Sequence, residues 1–112
     1  MERRKHDRVH VEFSALFSGS VFRAQGVILN LSMAGCRARS AFAVKKDDWL
    51  GVLIDVPKYE QPLYVTRAAV RWVNAQEFGV EFVQMELIDQ QRLGEVVQQT
   101  EVDQPQRTEQ GD

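Results

Sequence analysis

The sequence predicts an all-β fold, an antiparallel barrel or sandwich, followed by one C-terminal helix. Apolar and polar residues alternate along several segments between residues 9 and 83, which is the mark of half-buried strands. The links between these segments are too short for the crossovers that parallel strands need. After residue 84 the apolar spacing changes to that of a helix. At 112 residues and 12.9 kDa, the chain has room for one such domain.

Six segments have strand-like patterns, and they are 9–15, 27–29, 36–42, 49–56, 63–73 and 78–83. The first and third alternate strictly, so each is expected to bury one face and expose the other. On the third, Arg37 and Arg39 are predicted to point outward. The second is a short apolar run, and the fourth is a longer one that Pro57 ends. Even spacing of short strands is typical of a barrel or sandwich.

The helix is predicted to be weak on its own and to depend on docking against the β-structure. Four apolar residues can line one of its faces, with Met85 near them, and they are Ile88, Leu93, Val96 and Val97. Gly94 within it costs about 1 kcal/mol relative to alanine. We therefore expect the helix to lie across an open end of the β-structure.

Four regions follow along the chain. Residues 1–8 form a charged, flexible arm rich in arginine, and residues 9–84 form the β-structure. Residues 85–98 form the helix. Residues 99–112 contain one apolar residue, Val102, and are expected to be disordered.

Charge is unevenly distributed, although the net charge is only −2. Residues 1–46 contain nine Lys or Arg against three Asp or Glu, whereas residues 47–112 contain five against thirteen. The first part thus offers a cationic region to an anionic partner. The acidic balance of the whole chain, with a pI near 5.7, argues against DNA or RNA as that partner.

Composition excludes several other classes. The single cysteine, Cys36, cannot form an internal disulfide and is expected to be a small buried residue. Only His6 and His10 accompany it, so a dedicated Cys/His metal site is not expected. No apolar run approaches the roughly 18 residues of a membrane span, and no apolar stretch follows the charged start. These features predict a cytoplasmic protein without membrane insertion.

Two short motifs stand out, although each is weak by itself. Arg4-Lys5-His6-Asp7-Arg8 is an RxxxR preceded by Arg3, and ten arginines give roughly one such spacing by chance. Asn30-Leu31-Ser32-Met33-Ala34-Gly35 is an NxSxxG at a strand end. The second motif is typical of a turn in which Asn and Ser bond their own backbone and Gly supplies a positive φ.

In this order the two motifs resemble the PilZ family, the bacterial receptors for cyclic di-GMP. The resemblance covers about residues 2–97 and includes the lead-in Glu2-Arg3-Arg4. It also includes Ala69-Val70-Arg71-Trp72-Val73, followed at family-like spacing by Phe78-Gly79-Val80-Glu81-Phe82. The resemblance implies a six-stranded antiparallel barrel with a C-terminal helix, which agrees with the pattern of the residues.

The resemblance further implies cyclic di-GMP as the ligand. It assigns the contacts to seven residues, Arg3, Arg4, Arg8, Asn30, Ser32, Gly35 and Trp72. The ligand carries two charged phosphates and two guanines, and a guanidinium fork can bond either group in two places. The arm is therefore expected to close over a ligand lying on the barrel, with polar contacts from Asn30 and Ser32. Gly35 is expected to let the ligand approach the backbone.

The two tryptophans have different expectations. Trp72 is predicted to share a strand face with three residues before it, Tyr64, Ala68 and Val70. Core packing is the default for a large aromatic side chain on that face, and the resemblance implies that Trp72 also stacks at the edge of a bound guanine. Trp49 is predicted to lie in the core or against the helix.

The expected function is that of a stand-alone receptor without catalytic activity or cofactor. The sequence contains no nucleophile–base pair, paired carboxylates or Gly-rich phosphate loop. Binding would order residues 1–8 and present a new surface to an unidentified effector protein, with the receptor a monomer or weak dimer. Two alternatives stay open. One is a PilZ-like interaction adaptor that works without nucleotide. The other is a single-stranded nucleic-acid binder, which needs more exposed aromatics than Tyr64 and Trp72.

Overall fold

Six antiparallel strands close into a barrel, and one helix packs against it. The computed structural model describes residues 8–103. Its elements are β1 (Val9–Ser18), β2 (Arg23–Leu31), β3 (Gly35–Ser40), β4 (Trp49–Ile54), β5 (Leu63–Asn74), β6 (Glu77–Gln84) and α1 (Leu87–Asp103). The strand order around the barrel is β1-β2-β3-β6-β5-β4. The predicted fold class is therefore confirmed, and the barrel is the correct one of the two expected architectures.

The core combines inward-facing residues of all six strands with buried residues of α1. Phe17 of β1 and Phe78 of β6 meet at its centre, with ring centroids 5.3 Å apart in an edge-to-face arrangement. Smaller apolar side chains surround them, as expected where a small barrel is filled by its own side chains. Cys36 is among these buried residues, as predicted.

Irregularities in strand register move Trp72 out of the core. Between Val70 and Trp72, β5 has one residue more than β6 in their pairing. Val70 and Ala68 are fully buried, whereas Trp72 is 40% exposed on the outer face, where Tyr64 also lies. The expectation that Trp72 shares a buried face with Ala68 and Val70 is thus wrong, because strict alternation does not hold across a bulge.

Trp49 also lies outside the core, contrary to its prediction. Its side chain is about half exposed, and the guanidinium carbon of Arg67 lies 4.1 Å from the centre of its ring. The two residues sit on neighbouring strands, β4 and β5, which pair there. A cation over the ring face shields the indole without burying it.

The helix is held by apolar and polar contacts to β1 and β5. Leu93, Val96 and Val97 are buried in the core, as predicted, but Ile88 is 58% exposed. The buried residue in that first turn is Asp89. Its Oδ1 accepts a hydrogen bond from the Tyr64 backbone N–H at 3.1 Å, and this bond fixes α1 to the start of β5.

Arg92 completes this anchor. Its Nη1 lies 3.3 Å from Asp89 Oδ1, and its Nη2 donates to the backbone carbonyl of Gln61. The buried carboxylate thus accepts from the β5 backbone and from Arg92, and Arg92 in turn links the helix to the loop before β5. The residue of the first helical turn that docks is polar. An apolar pattern therefore selected Ile88 in place of Asp89.

The helix ends at Asp103 rather than at the predicted residue 98. Residues 99–103 are therefore helical and do not belong to a disordered tail. Apart from Arg8 and these residues, the predicted arm over 1–8 and tail over 99–112 lie outside the described residues. Within residues 8–103, no helix is long and apolar enough to cross a membrane. The same part of the chain has no group of three His, Cys, Asp or Glu placed to hold a metal ion.

Replacing Gly94 with alanine is expected to stabilise the protein. A Cβ built at Gly94 meets only the Met33 side chain, at 4.0 Å, which is ordinary van der Waals contact. Gly94→Ala should raise the free energy of unfolding by about 0.5–1 kcal/mol in urea denaturation, because alanine is the better helix former. The matched control is Gly26→Ala, whose Cβ would lie 2.4 Å from the Arg39 carbonyl oxygen and should destabilise. A destabilised Gly94→Ala variant would contradict this account of the helix.

Candidate functional site

A cavity of about 530 Å³ opens on the outer face of the barrel, over β3, β6 and β5. Four of the seven predicted site residues line it, and they are Arg8, Asn30, Gly35 and Trp72. Ser32 does not line it, and Arg3 and Arg4 lie outside the described residues. The structure therefore brings the end of the RxxxR motif and the NxSxxG motif to one place.

The floor of the cavity is one row of residues that crosses four neighbouring strands. Asn30 of β2 pairs with Arg37 of β3, Arg37 with Gly79 of β6, and Gly79 with Trp72 of β5. A row across antiparallel strands projects its side chains to the same face. The amide, the guanidinium and the indole therefore lie side by side, with the glycine as the one gap between them.

Asn30 joins the start of β1 to this row. Its Oδ1 accepts from Nη1 of Arg8 at 3.0 Å and from the backbone N–H of Arg37 at 2.9 Å. The carboxamide is thereby fixed in orientation by two donors on different segments. Its NH₂ group has no hydrogen-bond partner among residues 8–103, so both of its donors are available to a ligand.

The turn between β2 and β3 is built by Ser32. Its hydroxyl accepts from the backbone N–H groups of Ala34 at 3.1 Å and Gly35 at 3.2 Å, and the Gly35 carbonyl lies 3.2 Å away as its acceptor. The side chain is only 1% exposed. The turn chemistry expected from the motif is present, and it engages the hydroxyl that was expected to contact the ligand.

Gly35 is needed for a reason that the motif did not predict. No glycine among the described residues has a positive φ, so the expected left-handed conformation is absent. A Cβ at Gly35 would instead lie 2.1 Å from the carbonyl oxygen of Val80 on β6. Only glycine lets the two strands approach so closely at the rim of the cavity.

Trp72 lies flat across β6 because position 79 has no side chain. A Cβ at Gly79 would be 2.1 Å from the indole Nε1 and 2.5 Å from Cε2. The ring therefore occupies the space that this Cβ would fill, and the partly exposed side chain lines the cavity. An exposed aromatic face of this kind is a surface on which a planar base can stack.

Two ion pairs, which the motifs did not predict, frame the row. Nη1 of Arg37 lies 2.8 Å from Glu77 Oε1. On the other side of β6, Arg71 donates from Nε and Nη2 to Glu81 Oε1 at 2.8 Å and 2.7 Å. The strand pattern of β3 predicted only that Arg37 points outward. Which carboxylate each arginine meets depends on cross-strand register.

The thiol of Cys36 lies beneath this face and is chemically quiet. Burial raises its pKa from 9.0 to about 12, and the nearby charge of Arg8 lowers the pKa by a smaller amount. A thiol that stays protonated is a poor nucleophile and a poor metal ligand. Cys36 therefore contributes packing under the cavity.

Charge distinguishes this cavity from the groove between β1 and α1. That groove, of about 450 Å³, is lined by residues such as Phe13 and Tyr59, and it contains Lys58 but no arginine. The cavity over Gly79 has three arginines, Arg8, Arg37 and Arg71, against one carboxylate, Glu81. It therefore suits an anionic ligand that also carries a planar ring.

Comparison with known proteins gives one family and a set of related folds. The family model described as PilZ domain matches residues 2–99. The inhibitor of motility from Bacillus subtilis (MotI/DgrA) is 16% identical, with a TM-score of 0.76, over 93% of this chain and 54% of that chain. YcgR from Escherichia coli, solved in complex with cyclic di-GMP, is 10% identical, with a TM-score of 0.77, over 99% of this chain and 51% of that chain.

At these identities the two structures establish a shared fold. The chain spans about half the length of each of these proteins. No curated protein matches the chain by sequence at a significant level.

Adding a methyl group at position 79 is expected to displace Trp72. Gly79→Ala places a Cβ inside the contact distance of the indole Nε1, so the ring must leave the strand. The Trp72 indole N–H resonance should shift in a ¹⁵N-correlated NMR spectrum, while that of Trp49, on the far side of β5 next to Arg67, serves as the internal control. An unchanged Trp72 resonance would refute the described packing.

The buried thiol of Cys36 is expected to lower the free energy of unfolding at high pH. Below pH 9 the thiol is protonated in the folded and the unfolded chain, so it adds no pH dependence. Above pH 9 only the unfolded chain ionises, because the folded pKa is about 12. The free energy of unfolding should then fall by up to about 1.4 kcal/mol per pH unit from this group.

Cys36→Ala isolates this effect from other groups that titrate in the same range. The stability difference between wild type and variant should be flat below pH 9 and should shrink above it. A difference that stays constant to pH 11 would mean that the thiol ionises in the folded protein.

Proposed function

The chain belongs to the PilZ domain family, and from this premise we propose that it is a receptor for cyclic di-GMP. The proposed ligand lies on the outer face of the barrel, in the cavity over Gly79. The protein acts by binding, without catalysis or a cofactor. It transmits the signal to an effector protein.

One observation carries the proposal above the others. Nη1 of Arg8, the last residue of RxxxR, lies 3.0 Å from Oδ1 of Asn30, the first residue of NxSxxG. Two motifs 22 residues apart in sequence thus meet at one rim of a cavity. This convergence supports a shared ligand, since neither motif needs the other to build a strand or a turn.

The chemistry of the lining residues fits the two parts of cyclic di-GMP. The guanidinium of Arg8 suits a phosphate or the O6 and N7 acceptors of guanine. The NH₂ group of Asn30, which has no partner among residues 8–103, can donate to the same acceptors. The exposed ring of Trp72 offers stacking worth about 1–3 kcal/mol per base.

The remaining predicted residues keep narrower roles in the proposal. Ser32 acts through the turn, since its hydroxyl is engaged there, and Gly35 keeps the rim open. Arg3 and Arg4 are assigned to the ligand by their match to the family motif. With these contacts, offset by the cost of ordering the arm, we expect affinity near the micromolar range, about −8 kcal/mol.

The proposed signal is a change in order at the N-terminus. Arg8 directly precedes β1, so a ligand held by Arg8 and Asn30 draws the preceding arginines toward the barrel. Residues 1–8 and the bound nucleotide then form a surface that the free protein does not have. A ligand that stabilises this arrangement shifts the population toward it, and the effector protein recognises it.

Isothermal titration with cyclic di-GMP tests the proposal. Wild type should bind with a dissociation constant on the order of 10⁻⁶ M. Arg8→Ala and Asn30→Ala should each weaken binding at least about tenfold, because each removes charge-assisted hydrogen bonds. Arg23→Ala, at the far end of β2 from Asn30, is the control and should bind like wild type.

Two outcomes would contradict the proposal. The first is a wild-type protein that gives no heat with cyclic di-GMP, and the second is undiminished binding by Arg8→Ala. An effector captured equally well with and without nucleotide would favour the alternative of an adaptor that works without nucleotide.

A further inference from the structure

We propose that Glu81 accepts hydrogen bonds from a guanine of the ligand and thereby selects guanine over other bases. This inference rests on the proposed function and names a specificity contact that neither motif contains. It is carried by the scarcity of acceptors in the cavity over Gly79, by the state of the Glu81 carboxylate and by its place beside Trp72.

The polar side chains that line this cavity are almost all donors. Arg8, Arg37 and Arg71 can only donate, and Oδ1 of Asn30 already accepts from two donors. Among residues 8–103, Glu81 is the one lining side chain whose oxygen can still accept a hydrogen bond. A donor group of the ligand that enters the cavity therefore has Glu81 as its side-chain partner.

The polarity of Glu81 identifies the part of the ligand that it can meet. A carboxylate only accepts, so it repels a phosphate and needs an N–H or O–H group. Guanine presents two donors side by side, N1–H and the 2-amino group, which match the two oxygens of a carboxylate. A ribose hydroxyl can also donate, but it can turn to accept from the arginines, whereas these two guanine groups cannot.

The Glu81 carboxylate is held in place and is still open to a ligand. Nε and Nη2 of Arg71 lie 2.8 Å and 2.7 Å from its Oε1. No hydrogen bond reaches Oε2 among residues 8–103, and about half of the side chain is exposed. Because Arg71 offsets its charge, this carboxylate opposes an anionic ligand less than an unpaired one would.

Position places this acceptor beside the surface on which a base can stack. Glu81 follows Gly79 by two residues on β6, so the two positions face the same side of the strand, about 7 Å apart. The Trp72 ring occupies the space over Gly79. A base that stacks on Trp72 therefore lies within reach of Glu81.

A comparison of two ligands on two proteins tests this contact. Cyclic di-GMP and cyclic di-IMP, which differ only in the 2-amino groups, are titrated against wild type and Glu81→Met. Wild type should prefer cyclic di-GMP by about 10- to 100-fold, the equivalent of one hydrogen bond to a charged acceptor. Glu81→Met should bind both ligands with nearly equal affinity. The ratio of affinities is the readout, because the release of Arg71 changes both affinities alike.

Glu77→Met is the matched control. Glu77 is the other carboxylate of β6 and pairs with an arginine of the cavity, Arg37, but it does not itself line the cavity. The substitution therefore removes the same charge and releases one arginine, and the preference for cyclic di-GMP should persist.

Glu81→Gln is the second variant, since it keeps an oxygen acceptor without the charge. Its preference for cyclic di-GMP should lie between those of wild type and Glu81→Met, because a neutral acceptor forms the weaker hydrogen bond. A preference equal to that of wild type would mean that the carboxylate is not the acceptor. Thermal unfolding of each variant verifies that the barrel is intact, as expected for substitutions on the outer face.

The outcomes separate this inference from the proposed function. A wild-type protein that binds neither ligand contradicts both. Equal affinity of wild type for the two ligands, or a preference that Glu81→Met retains, overturns the Glu81 assignment alone, because Glu81 then meets only Arg71 or a ribose hydroxyl. Loss of the preference in Glu77→Met overturns it as well, because the effect would then come from charge and not from a contact with the base.

Discussion

The side-chain carbonyl of Asn30 is the point on which the organisation of the cavity over Gly79 depends. It accepts from the guanidinium of Arg8 and from the backbone of Arg37, and so it connects the chain before β1 with β2 and β3. An aspartate would accept the same two bonds, but it would have no NH₂ group left to offer. The amide thus orients two cationic residues while keeping donors of its own.

The shape of this face is set by positions that have no side chain. Gly35 allows β3 to approach Val80, and Gly79 allows the Trp72 ring to lie on β6. Neither glycine has a positive φ, so neither position requires glycine for its backbone conformation. What matters is the space that a Cβ would fill. A wide, shallow hollow on a small barrel is obtained in this way without opening the core, which Phe17 and Phe78 fill.

The sequence predicted the fold and part of the site for physical reasons that differ between residues. Alternation and short links identify six strands, and the NxSxxG turn is local, so Ser32 could be understood from its neighbours in sequence. The face of β5 on which Trp72 lies could not be predicted in this way, because a bulge between Val70 and Trp72 reverses the alternation. The pairing of Arg37 with Glu77 depends on register between β3 and β6, which no local pattern encodes. Asp89 rather than Ile88 lies on the docked face of α1, where its carboxylate accepts a hydrogen bond from the Tyr64 backbone N–H.

Closure of the barrel limits where a further strand could pair with the sheet. Every strand in residues 8–103 is paired on both sides, β1 with β2 and β4, and β6 with β3 and β5. The pairing of β1 with β4 covers only Ala15–Ser18, so residues 9–14 of β1 have a strand partner on one side only. Backbone pairing with an added strand is thus confined to such short stretches of this part of the chain.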